Sequence, residues 1–178
     1  MKRADDISLV AKVALSHDKR AFDALVVKYQ EQVRRFFMSQ TLGDRQLSDD
    51  LAQDTFVKAY THITRFRGLS GFSTWLYRIA CNVYYDYRRS SKETLDVDNV
   101  PANRCAPSTN SGLKIDIYDA LKILSADERT CITFQLIEGL PIDRIAEITG
   151  LQAGTVKSHL SRGKHKLAEY LKHNGYDR

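Results

Sequence analysis

Between Ser90 and Gly112 the chain gives up the helical spacing of apolar residues that runs through it on both sides. Asp96, Asp98, Asn99, Pro101, Asn103, Pro107, Ser108, Asn110, Ser111 and Gly112 fill this stretch with turn formers, and no usable periodicity survives in it. One continuous helical pattern cannot run through such a segment. The 178 residues therefore divide into two small helical units, 1–92 and 113–178, with a flexible linker over 93–112. The three prolines all lie outside the N-terminal half. The expected fold class is all-α, a helical bundle followed by a helix-turn-helix, without internal repeats.

In the first unit Asp18 is placed to cap a helix in which Phe22, Leu25, Val26, Tyr29 and Val33 recur at helical spacing, ending near Gly43. Ser48 and the aspartates after it suit the start of another, with Leu51, Phe56, Ala59 or Tyr60, and Ile63 inward. Its acidic residues sit near the positive end of the helix, where they are favoured. A shorter helix is expected around Ile7 to Leu15. A loop holding Gly68 and Gly71 then leads into a long helix on which Phe72, Leu76, Ile79, Ala80, Val83 and Tyr87 share a core-facing stripe. Trp75, Arg78, Asn82, Tyr85 and Arg89 fall on a different stripe. Such a surface can stack on bases, hold phosphates and hydrogen-bond a base edge. Spacing alone also allows Trp75 as a half-buried core aromatic and Phe66 as a plain loop anchor.

Helical signals resume with Leu113, Ile117, Leu121 and Leu124, and Ser125-Ala126-Asp127-Glu128 is a capping-box pattern. The segment Glu138 to Leu160 has the layout of a helix-turn-helix. Pro141 suits a first helical position, Ile145, Ala146 and Ile148 give an apolar face, and Gly150 permits the positive φ that ends one helix before the next. In the second helix Val156, Leu160, Leu167 and Leu171 point inward. Thr155, Ser158, Ser161, Arg162 and His165 lie outward with Lys157, Lys164 and Lys166 flanking, which fits a major groove.

Net charge is only +5, but its distribution is uneven. Asp49, Asp50 and Asp54 cluster in one segment, Arg78, Arg88, Arg89 and Lys92 in another, and Lys157, Arg162, Lys164, Lys166 and Lys172 in a third. Such segregation predicts separate faces for a protein partner and for a polyanion.

With these pieces in order, the chain resembles a sigma factor of bacterial RNA polymerase, of the compact two-domain extracytoplasmic-function (ECF) group within the sigma-70 family, and looks closest to its envelope-stress subgroup. The resemblance rests on Ala21 to Tyr29, on Asp50 to Tyr60, on the Phe66 loop with its helix, and on the helix-turn-helix ending Gly154-Thr155-Val156-Lys157-Ser158. It implies a region 2 bundle that docks on polymerase and reads and melts the minus-ten element, and a region 4 helix-turn-helix that reads the minus-thirty-five element, in a stress response. Asp50, Gln53 and Asp54 match positions that dock on coiled-coil helices of the largest polymerase subunit. Phe66 matches the capture site of a flipped promoter base, Asn82 matches a position lining the same pocket, and Lys58 matches one near the adjoining DNA. With Arg67, Trp75, Arg78, Arg88 and Arg89 these make up the expected minus-ten set. The expected minus-thirty-five set is Thr155, Lys157, Ser158, His159, Ser161, Arg162 and Lys166, with Ser161 a departure from the bulkier apolar residue common in that subgroup. The linker is shorter than in that subgroup, and its Asp96 and Asp98 hint at RNA mimicry.

The implied partners are core RNA polymerase, promoter DNA and an anti-sigma protein, with no cofactor and no metal. Flipping a base costs a few kcal/mol, whereas stacking one base on an aromatic returns about 1–3 kcal/mol, so melting draws on polymerase as well as on Phe66 and Trp75. Cys81, Cys105 and Cys131 are odd in number and lack paired spacing, which argues for reduced thiols, with Cys81 and Cys131 as apolar helix fillers. The basic N-terminus is followed by no apolar run of signal-peptide length, and a cytoplasmic location is expected. Two competitors are a stand-alone helix-turn-helix regulator, which would need a dimer, and a nuclease built on Asp49, Asp50 and Asp54, which lacks a second acidic element or a histidine nearby.

Overall fold

The computed structural model describes residues 2–95 and 117–175, which form helices and no strands. The expected linker, with Asp96, Asp98 and Cys105, falls almost wholly outside the described residues. Four helices make the first unit: α1 (Lys2–Ser16), α2 (Lys19–Gln40), α3 (Arg45–Thr61) and α4 (Phe72–Leu95), with a 3₁₀ turn at Ile63–Arg65. The second contains α5 (Ile117–Lys122), α6 (Ala126–Ile132), α7 (Ile142–Thr149) and α8 (Ala153–His173), with a π-helical turn, Thr133–Ile137, continuing α6.

Capping residues set the starts. The Asp18 carboxylate accepts from Arg20 N at 2.9 Å and from Ala21 N at 3.2 Å, as the sequence predicts. The next helix starts earlier than expected. Asp44 is its cap, accepting from Leu47 N at 3.0 Å, while Ser48 is buried and bonds back to the Asp44 carbonyl. An aspartate just before the periodic run outcompetes a serine inside it. Ser125 and Glu128 form the capping box, and Gly150 closes α7 at φ 75°. Pro141 stands one position ahead of the expected first helical residue, as the cap of α7.

Leu25, Val33, Phe36, Phe72, Leu76 and Ala80 pack the centre of the first unit. Fully burying such a side chain contributes about 1.5–3 kcal/mol for the larger ones. Asp6 of α1 is buried and accepts from Tyr29 Oη at 2.6 Å, with Lys28 beside it. Leu167 is half-buried and Leu171 is 37% exposed, so the inward stripe of α8 fades toward its end. What spacing did not foresee is a second apolar face on α4, where Tyr77 and Tyr84 are buried beside Cys81, the expected apolar filler.

That face meets the second unit. Phe134 stacks on Phe36 of α2 with centroids 5.0 Å apart and planes 9° from parallel, and meets Tyr77 edge-on at 5.1 Å. Glu138, at the end of the π turn, accepts from Arg35 Nε at 2.6 Å and from Tyr77 Oη at 2.8 Å. Burial first, and the Glu138 carboxylate second, push the Tyr77 phenol well above its usual range. Gln40 and Arg129 complete the junction. Thr130 Oγ1 donates to Gln40 Oε1 at 3.2 Å, and Arg129 Nη1 donates to the Gln40 carbonyl at 3.0 Å. Cys81 and Cys131 lie in this shared core as free thiols, and burial pushes Cys131 up to about 12.

Candidate nucleic-acid and partner interfaces

The acidic face stands on α3. Leu51, Thr55 and Ala59 point into the bundle, and Thr55 Oγ1 satisfies itself on the Leu51 carbonyl at 2.8 Å. That register leaves Asp50, Gln53 and Asp54 exposed. Beside them runs a groove of about 620 Å³ between α2 and α3, lined by Phe22, Val26, Phe56, Val57 and Tyr60 among others, with Gln53 on its wall. Asp49 is tied to Arg34 Nε at 2.6 Å, and this hydrogen bond holds its carboxyl below the usual range. The three aspartates therefore do not converge. No group of three or more His, Cys, Asp or Glu side chains among the described residues is placed to hold a metal.

The aromatic loop is built on contacts among rings. Phe66 is half-buried, its centroid 5.7 Å from Phe72 and 5.6 Å from Trp75, and Trp75 also lies 5.6 Å from Phe72. Both proposed stacking residues are thus packed on one side and open on the other. Arg67, Arg78, Asn82 and Arg89 are exposed, Arg88 is half-buried with its guanidinium 6.0 Å from the Tyr84 ring, and Lys58 and Arg89 share Asp86 at 3.4 and 3.0 Å. Arg78 is engaged with the second unit, donating through Nε to the Glu147 carbonyl in the last turn of α7 at 3.1 Å. A cation is favoured there, at the negative end of a helix. Tyr85, placed on the outer stripe by its spacing, is half-buried and donates to Asp127 at 3.2 Å.

The second polar face is on α8. Thr155, Lys157, Ser158, Ser161, Arg162 and Lys166 are exposed and His159 is half-buried, with Arg162 Nη2 3.3 Å from His159 Nδ1. The helix can lie close on α6 because residue 163 is glycine. A Cβ there would sit 2.8 Å from Ile132 Cγ1, the stem of that side chain rather than its tip. Gly163→Val is therefore expected to destabilise the protein by about 2 kcal/mol or more through overpacking, read as a lower urea midpoint; an unchanged midpoint would refute the close crossing. Glu128 was legible only as a capping residue, yet it reaches under α8 to Lys166 Nζ at 2.7 Å.

The Sigma-70 region 2 family model matches residues 25–94 and the Sigma-70, region 4 model matches residues 114–167. The chain is 35% identical to the ECF RNA polymerase sigma-E factor of Haemophilus influenzae, over 91% of this chain and 93% of that one. It belongs to the ECF sigma factors. The RNA polymerase sigma-H factor of Pseudomonas aeruginosa is 30% identical, covering 96% of both chains. Among solved structures, this sigma factor resembles CnrH in its complex with the cytosolic domain of CnrY, with a TM-score of 0.71 at 27% identity, covering 95% of this chain and 97% of that one. It also resembles RpoE from Bartonella quintana, bound to the anti-sigma factor NepR, with a TM-score of 0.73 at 28% identity over 85% and 96%. As a sigma factor it serves transcription initiation, and no described helix is long and apolar enough to cross a membrane.

Proposed function

We propose that this sigma factor docks on core RNA polymerase through Asp50, Gln53 and Asp54 and carries it to promoters read at two places. The minus-ten element is held and melted by the Phe66 loop with Lys58, Arg67, Trp75, Arg78, Asn82, Arg88 and Arg89. The minus-thirty-five element is read by Thr155, Lys157, Ser158, His159, Ser161, Arg162 and Lys166, with Arg162 gripping guanine and the lysines holding phosphates. An anti-sigma protein restrains it until a stress signal releases it, a reading supported by the likeness to RpoE, which is bound to the anti-sigma factor NepR. It works in the cytoplasm, by binding and not by catalysis.

The observation that carries the docking assignment is the exposed Asp50, Gln53 and Asp54 set standing beside an apolar groove. Acidic and amide groups flanking apolar surface suit a basic, amphipathic partner helix. Asp54→Lys should weaken assembly with core polymerase at least about tenfold, because a like charge then faces the partner's basic residues. Its unfolding should stay within about 0.5 kcal/mol of the parent, since the site is exposed. Run-off transcription with core polymerase, followed by start-site mapping, reads the outcome. Tight promoter binding by the purified chain, with polymerase adding nothing, would favour a stand-alone regulator instead.

A further inference from the structure

Glu128 stands out among the acidic residues because its side chain is 5% exposed and yet its two oxygens each face a cation of α8. The close crossing at Gly163 brings this about. Gly163 lies between Arg162 and Lys166, one helical turn apart, and a Cβ at 163 would be 3.7 Å from the Glu128 Cβ beneath. Oε2 meets Lys166 Nζ at 2.7 Å and also accepts from Ser125 N at 3.0 Å. Oε1 lies 3.8 Å from Arg162 Nε. The Glu128 backbone is fixed as well, since its N donates to Ser125 Oγ at 3.3 Å. Burial alone would raise its pKa, but the Lys166 and Ser125 bonds outweigh this and hold it below the usual range.

We propose that Glu128 is a positioning residue for promoter reading, a buried anchor that aims Arg162 outward. The inference rests on the reading of α8 as the minus-thirty-five helix. An arginine on an exposed helix face has many rotamers, and each one frozen on binding costs affinity. A carboxylate 3.8 Å from Nε steadies that edge of the guanidinium, and of the terminal nitrogens Nη2 lies 3.3 Å from His159 Nδ1, a contact that guanine would replace. Those nitrogens are the pair that meets guanine O6 and N7. Lys166 balances the remaining charge, so the anchor does not pull Arg162 fully down onto the protein. Glu128 thus sets discrimination at one base without touching DNA.

The test uses holoenzyme assembled from the full chain and core polymerase, presented with promoter duplexes randomised over the minus-thirty-five hexamer. The bound fraction is sequenced for the parent, Glu128→Gln, Arg162→Ala and the double variant. Gln keeps the capping box, so the fold is retained, and thermal unfolding checks it. The expected result is a loss of about tenfold in preference at the single position that Arg162→Ala also flattens, with the other positions unchanged. The double variant should match Arg162→Ala alone, because the anchor acts only through that side chain. Equal weakening at every position, or additive losses in the double variant, would overturn the role. A parent holoenzyme with no base preference in the hexamer would instead remove the reading of α8, and the anchor with it.

Discussion

Arg129→Ala is expected to lower the unfolding free energy by about 3 kcal/mol, well beyond an ordinary surface substitution. The guanidinium is nearly buried, and the described residues give it carbonyls to bond. Nε donates to Leu121 O at 3.0 Å, Nη2 to Leu124 O at 3.1 Å and Nη1 to Gln40 O at 3.0 Å. Two of these close the turn between α5 and α6, and the third crosses to the end of α2. Truncation strips a donor from each carbonyl and opens a cavity where the stem lay. A buried acceptor left unmet costs about 1–3 kcal/mol, although Gln40 O keeps the Tyr84 hydroxyl at 3.2 Å and Leu121 O keeps Leu124 N at 3.2 Å, which softens their shares. Arg129→Lys should recover only part of the loss, because a point charge cannot span three carbonyls as a planar fork does. Urea titration measures both; a shift in midpoint smaller than that of an ordinary surface substitution would show the side chain to be dispensable.

Phe134→Ala should cost about 3–5 kcal/mol and, in addition, change the shape of the unfolding transition. Phe134 is fully buried between Phe36 and Tyr77, so it belongs to the cores of both units. Trp75, the only tryptophan, lies in the first unit and reports on it by fluorescence, while far-ultraviolet circular dichroism reports on all helices. In the parent the two signals should fall together. In Phe134→Ala the helical signal should begin to fall at lower denaturant than the Trp75 signal, as the short helices of the second unit lose their support. Coincident curves with an unmoved midpoint would show the aromatic stack to be incidental.

The cues that sequence carried well were local ones. Asp18 and the Ser125 capping box announce helix starts because a side-chain oxygen needs only the next few amide groups to do its work. Gly150 announces an end because its backbone alone supplies the left-handed turn. The exposed face of α8 followed from the depth of Val156 and Leu160 on the other side. Junction residues were missed for a common reason, since each depends on a partner far away in the chain. Arg35 and Tyr77 meet Glu138 from 103 and 61 residues away, beyond the reach of any local spacing. A signal was nonetheless present, because Tyr77, Cys81 and Tyr84 widen the apolar arc of α4 beyond what one bundle can cover. Ser48 misled because it is a good cap residue, four positions after a better-placed one.

The junction also fixes how far the molecule can reach. Elements centred at minus ten and minus thirty-five are separated by about 25 base pairs, or roughly 85 Å of straight duplex at 3.4 Å per step. A compact chain of this length is only about 40 Å across. With Arg78 fastened to α7 and Phe36 stacked on Phe134, the two faces proposed to read DNA fall short of that span. If the two faces read DNA as proposed, the aromatic and Arg129 contacts set the free energy that has to be spent before both elements are held at once.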